Sequence, residues 1–196
     1  MESEVLGRDF YARATATVAR DLLGKMLAIR RNGAWWGGSI VETEAYLGHA
    51  DAASHSSRGP TPRSSIMFGP PGMAYVYFIY GMHHCLNAVT EAEGIGAAVL
   101  IRALLPEVPA RSGVRSLQCP SARLRGPGLV CRQLGVTLAM NGWDLVTGDL
   151  TILDAPPVPG AQVVIGQRVG ISRARDLPLS FRVVPAAPPP ARDPRY

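Results

Sequence analysis

The chain reads as one α/β-mixed (α+β) domain, a single compact unit with a largely antiparallel sheet and flanking short helices. Three observations lead there. Its 196 residues suit one ordinary domain with ample chain to bury a core, and 47% apolar against 18% charged content is globular. Strand-like runs outnumber helical ones, and two-residue turn signals such as Asn32-Gly33 join neighbours in the antiparallel manner. Neither an internal repeat nor a linker divides the chain. The domain is therefore expected over residues 1–184, with the Pro-rich stretch 185–196 as a poorly ordered tail.

Taken in order, Asp9 to Leu23 carries Val18, Leu22 and Leu23 at helical spacing, and Gly24 supplies a stop. Met26 to Arg30 is strand-like, turns at Asn32-Gly33, and returns from Trp35 to Tyr46. Asp51 to Pro62 suits a short helix or loop, and Gly69-Pro70-Pro71-Gly72 makes Ser64 to Gly72 irregular. Ala74 to Tyr80 is aromatic and β-branched, a strand by composition; Gly81 permits a turn, and His84 to Thr90 is its partner. Ala97 to Leu105 is apolar except for Arg102, the pattern of a buried central strand in which a lone charge needs a partner or a role. Pro106 to Pro127 looks like a surface excursion, whose Arg111, Arg115, Arg123 and Arg125 would form a basic surface. Gly128 to Leu134 suits a short helix ended by Gly135, and Asn141-Gly142 a turn. Leu150–Leu153, Val163–Ile171 and Ser180–Val184 complete the set as late strands.

The totals exclude several classes. A net charge of +5, carried by arginine because Lys25 is the single lysine, is compatible with a polyanionic partner. With one lysine, at a helix-to-strand junction, chemistry through a Schiff base has little to work with. Three cysteines, none in a C-x-x-C pair, suggest reduced thiols and a cytoplasmic location. No apolar run reaches the length of a membrane helix, so no membrane partner is expected. P-loop, G-x-S-x-G, H-E-x-x-H and G-x-G-x-x-G motifs are missing. His83-His84-Cys85 alternates faces on a strand, so no metal site and no cofactor are expected.

The chemistry concentrates around Val41-Glu42-Thr43-Glu44-Ala45-Tyr46. On a strand Glu42, Glu44 and Tyr46 share one face, and carboxylates two residues apart stand roughly 7 Å from each other. That gap suits an attacking water in inverting glycoside hydrolysis; a solvated strand face is the bland alternative. Tyr75, Tyr77 and Ile79 share one face of the next strand, Val76, Phe78 and Tyr80 the other. Phe78 is expected in the core, whereas Tyr80, just before a turn, is placed to protrude. Tyr46, His55 and the tyrosines supply flat side chains for a planar ligand, although His55 by itself suits a structural histidine equally. Arg58 and Arg63, among hydroxyls and turns, suit phosphate contact; a solvated loop would look similar.

These motifs together resemble the alkyladenine (3-methyladenine) DNA glycosylase family. The matching pieces are VETEAYLG, TPR, MF-x-x-PG, AYVYFIYGMHHCLN, AVLIRAL, Gly126-Pro127-Gly128, Arg168-Val169-Gly170-Ile171 and a closing Pro-Leu-Ser-Phe-Arg. They cover nearly the whole domain; Pro106 to Arg125 matches nothing in the pattern. The resemblance implies a compact metal-free domain in which Glu44 is the general base for the attacking water. Arg102 and the backbone carbonyl of Val169 would hold that water. Tyr46, His55 and Tyr77 would sandwich the extruded base over an open cavity, and Asn87 would limit the pocket floor. Tyr80 would fill the space vacated in the minor groove; Arg58, which matches no family arginine, and Arg63 are expected on the DNA side from their own setting among hydroxyls and turns. The implied partner is double-stranded DNA containing damaged purines, bound by a monomer. The implied reaction is hydrolysis of the N-glycosidic bond of alkylated purines, with deaminated and etheno purines as further candidates. Two rivals remain at this stage: a hydrolase of free nucleosides and a non-catalytic binder of damaged DNA.

Overall fold

A computed structural model describes residues 3–106, 108, 112–119, 124–156 and 163–184 of the chain. Arg111 and Arg123 of the expected basic excursion, and the tail 185–196, lie outside the described residues. Among the described residues ten strands form one sheet that curls on itself, with three short α-helices packed against it, as expected for an α+β domain.

The N-terminal helical stretch is two helices, α1 (Arg8–Tyr11) and α2 (Thr15–Asp21), instead of one. A tertiary contact divides them: Glu91 accepts a hydrogen bond from the Thr15 amide at 3.1 Å, ending one turn and starting the next. β1 (Met26–Arg31) and β2 (Ala34–Tyr46) form a hairpin through Asn32 (φ 49°) and Gly33 (φ 74°), the positive pair of a type I′ turn. β3 (Ala74–Ile79) and β4 (His83–Thr90) form a second hairpin through Tyr80 (φ 55°) and Gly81 (φ 67°). β5 (Ala97–Leu105) is central, antiparallel to both β4 and β2. The main path runs β3-β4-β5-β2-β1 and ends on β8 (Leu150–Leu153).

The described residues of the excursion after β5 include two short strands. β6 (Val114–Ser116) runs parallel to β2, and β7 (Leu124–Arg125) pairs with β5. α3 (Pro127–Leu134) follows, with Gly135 in the left-handed conformation as its stop. The late strand is shorter than its sequence pattern: β9 (Val163–Gly166) ends well before Ile171, and residues 167–171 are free of strand pairing. It pairs with β10 (Ser180–Val183), which lies against β2 opposite Glu42 and Glu44. Among the described residues no helix is long and apolar enough to cross a membrane.

Alternation along the central strands sorts the two faces. Thr43 and Ala45, Ala74 and Val76, Leu86 and Ala88, and Val99 and Ile101 are buried, most of them in the main apolar core with α2 and α3. Their neighbours in sequence, Glu44, Tyr46, Tyr75, Tyr77, Asn87, Leu100 and Arg102, belong to the other face, where the cavity described next opens. The period-2 pattern thus places every polar group of this group on the side away from the main core. Phe78 breaks from expectation: it is 41% exposed and stacks on His84 at 5.0 Å, outside the core. Cover on the core-side face runs out after Val76: Phe78 and then Tyr80 are exposed, while Tyr77 and Ile79 on the other face still line the cavity.

Candidate active site

The curled sheet encloses a cavity of about 690 Å³, whose wall includes Tyr46, His55, Tyr77, Asn87, Arg102 and Val169. Glu44 lies immediately behind that wall. Its side chain is 0% exposed, and three of the wall residues hold it: the Val169 amide donates to Oε1 at 2.7 Å, the Tyr46 hydroxyl donates to Oε2 at 3.0 Å, and the Arg102 guanidinium stands 3.3 Å from Oε1. The sequence places Glu44 openly beside the three rings; the structure covers it. The contact from Val169 is made by its N–H, where the resemblance implies a role for its carbonyl.

Glu42 and Glu44 share one cation. Arg102 Nε donates to Glu42 at 3.1 Å while remaining in ion-pair range of Glu44. The space between the carboxylates, which the strand spacing reserves for water, is filled by this guanidinium. A double irregularity of pairing makes that possible, because Glu42 sits opposite Ala103 and Thr43 opposite Ile101, which leaves Arg102 as the extra residue.

Burial raises the pKa of Glu44 above the ordinary carboxylate range, although Arg102, the Val169 amide and Tyr46 oppose the shift. A carboxylate of raised basicity, fixed by donors, is suited to accepting a proton. Burial and the adjacent Glu44 charge push the Tyr46 phenol up as well, so it remains a donor to that carboxylate.

The aromatic wall is built from β2, β3 and the loop after β2. His55 and Tyr77 meet edge to face, with centroids 4.6 Å apart, and His55 Nδ1 lies 2.9 Å from the Tyr75 hydroxyl. Burial and the charge of Arg63 lower the His55 pKa, favouring the neutral imidazole. Asn87 is buried and donates to the Tyr75 carbonyl at 3.0 Å, which fixes its amide at the cavity margin. Tyr80, 78% exposed at the hairpin tip, also borders the cavity. Arg63 donates to the Phe78 carbonyl at 3.2 Å and stands over the Tyr77 ring, whereas Arg58 is exposed and does not border the cavity.

A model of the methylpurine-DNA glycosylase (MPG) family matches residues 9–186. The chain belongs to that family. Its relatives include proteins named "Putative 3-methyladenine DNA glycosylase". That of Myxococcus xanthus (strain DK1622) is 48% identical over 169 residues, 86% of this chain and 83% of its own. That of Methanoculleus marisnigri is 46% identical over 177 residues, covering 88% and 91% respectively. The one from Nitrobacter winogradskyi is 46% identical over 184 residues, covering 90% and 82%. Membership makes the chain a hydrolase of N-glycosyl bonds with DNA as its substrate.

Two parts of the site escaped the sequence reading. Arg168 and Asp51 form a pair whose side chains are both 0% exposed; one guanidinium nitrogen donates to Asp51 at 2.8 Å, and the other reaches the Ala45 carbonyl at 2.9 Å. The same guanidinium lies 4.6 Å over the Tyr46 ring, so the pair supports the ring from behind. Burial alone would raise the Asp51 pKa, but Arg168 and the amides of Ala53 and Leu47 outweigh it and hold the carboxyl below its usual range. Asp51 and Arg168 are 117 residues apart, and no local pattern joins them. Tyr75, the partner of His55, was visible only as a neighbour of Tyr77 on the same face. Lys25 does not line the cavity: its ammonium is bound by Asp154 at 2.6 Å and by the Ala155 carbonyl.

Proposed function

We propose that the chain excises alkylated purines, and 3-methyladenine in particular, from duplex DNA by a monofunctional mechanism. The observation that carries this reading is the placement of Glu44, a carboxylate of raised basicity directly behind a ring-lined cavity whose rim is an exposed tyrosine hairpin. The cavity is large enough for a purine but has no room for a base still paired in a duplex. The target nucleotide must therefore rotate out of the stack, at a cost of roughly a few kcal/mol. Tyr80 offsets that cost by filling the gap. Tyr46, His55 and Tyr77 receive the base, and Asn87 limits how deep it can sit.

Glu44 then takes a proton from a water molecule whose oxygen attacks C1′ of the sugar. The N-glycosidic bond breaks with its electron pair going to the purine, which leaves as a free base; the sugar gains the hydroxyl as an abasic site. A water reaches Glu44 by entering where Arg102 and Val169 now close the wall, and those two groups then hold it. A 3-alkylated adenine leaves as a neutral molecule, because the alkyl group has already made it cationic. Neutral lesions such as hypoxanthine or ethenoadenine need a proton from elsewhere. The sole lysine is tied to Asp154, which supports hydrolysis without strand cleavage.

The test is incubation with duplexes carrying 3-methyladenine, 7-methylguanine, hypoxanthine or ethenoadenine, followed by mass identification of the released base. Free alkylated base, with alkali-labile but otherwise intact strands, is the expected result. Cleavage of free nucleosides at a comparable rate would replace this reading with a nucleoside hydrolase. Lesion affinity without base release would leave only a binding protein.

A further inference from the structure

The two tyrosines of the cavity wall each have a guanidinium beside them, and the two arrangements differ. Arg168 stands 4.6 Å over Tyr46, with its charge cancelled by buried Asp51. Arg63 stands 5.1 Å over Tyr77, is exposed, and takes part in none of the ion pairs among the described residues. Neither arginine borders the cavity, although both rings do. Arg63 therefore has an uncancelled charge behind one wall of the purine slot.

We propose that Arg63 sets the charge selectivity of this cavity, disfavouring cationic purines relative to neutral ones, and that it does so through Tyr77 instead of through the DNA backbone. The inference rests on the reading that the cavity receives an extruded purine. A cation bound to a ring draws on the same electron-rich system that would attract a second cation. Its field also crosses the ring unscreened by any adjacent acid. At His55, burial and then the Arg63 charge both favour the neutral ring. The Arg63 hydrogen bond to the Phe78 carbonyl fixes the guanidinium over Tyr77, so its charge is held in position.

The experiment compares duplexes carrying 7-methylguanine, a cationic base, with duplexes carrying hypoxanthine, a neutral one. Binding constants and single-turnover excision rates are measured for the wild type, Arg63→Gln and Arg63→Lys. Arg63→Gln should raise the cationic-to-neutral ratio roughly 2- to 5-fold, the size of an exposed cation–ring interaction. Arg63→Lys should restore the wild-type ratio, and His55 should titrate at higher pH in Arg63→Gln by NMR. An unchanged ratio, with both duplexes weakened alike and the salt dependence of binding reduced by about one charge, would make Arg63 a phosphate contact and overturn the proposal. A wild type that releases neither base would refute excision, while the ratio of binding constants would still decide the role of Arg63.

Discussion

The β1–β2 and β3–β4 hairpins each turn through two successive positive φ angles, but with different residues and with loops of two and three residues. The β1–β2 turn uses Asn32-Gly33, the pair best able to adopt two successive positive φ angles. The β3–β4 turn uses Tyr80-Gly81, which puts a bulky side chain at φ 55°, where non-glycine residues pay about 1–2 kcal/mol. One turn follows local preference; the other departs from it and presents the ring to solvent. Their functional ends are also reversed. The first hairpin buries Glu44 near the end of β2, remote from its turn, and the second exposes Tyr80 at the turn itself. Chemistry needs a charge held out of water, whereas wedging needs a side chain free to enter another molecule. On the proposed function, each hairpin accepts a local cost at the point that would meet the substrate, which is where such costs are expected.

The strongest way to break this comparison is to neutralise the buried end. Glu44→Gln keeps the shape and removes the proton acceptor, so excision should fall roughly 10²- to 10⁴-fold in single-turnover assays. Affinity for lesion duplex should stay near wild type. Retained excision would remove Glu44 from the reaction. A pH profile sharpens the same point. Glu44 acts only when deprotonated and its pKa is raised, so kcat/KM should fall tenfold per unit as pH drops through an inflection above the ordinary carboxylate value of about 4.3. An inflection at or below that value would mean that a different group is titrating.

Much of this was legible beforehand because it depends on short-range pattern. Period-2 alternation put Glu44 and Tyr46, and Tyr75 and Tyr77, on their shared face, the lone charge of Arg102 marked a partner or a role, and Asn32-Gly33 located its turn to the residue. What escaped depends on pairing between distant segments. The Arg168–Asp51 clamp joins positions 117 residues apart, and the bulge that seats Arg102 between two glutamates is a property of two strands together. The same limit explains why an ideal strand spacing suggested room for water where a guanidinium sits. Phe78 differs from expectation for a related reason: its sequence is that of a core strand, but on its face the core stops at Val76.

The exposed end is tested by giving the second turn the residue of the first. Tyr80→Asn puts a residue that tolerates the left-handed region at φ 55°, so the protein should gain up to about 1 kcal/mol of stability while losing the wedge. Excision from duplex should drop, by roughly 10- to 100-fold if the ring offsets a few kcal/mol of extrusion. Release of the same base from single strands, which need little extrusion, should change least. Equal losses on both substrates would assign Tyr80 to the cavity instead of the groove.

The converse change carries the smallest effect and closes the comparison. Asn32→Ala leaves a side chain at φ 49° without the tolerance of asparagine, and should cost about 1 kcal/mol in denaturant unfolding. Excision per folded molecule should be unchanged, because this turn lies at the opposite end of β2 from Glu44. If excision fell along with stability, the two ends of the hairpin would be coupled, and the departure at Tyr80 could no longer be read as a local cost accepted for a local task. Equal stability for Asn32→Ala and wild type would carry a different message: the turn geometry tolerates ordinary residues freely, and tyrosine at position 80 is then no departure at all.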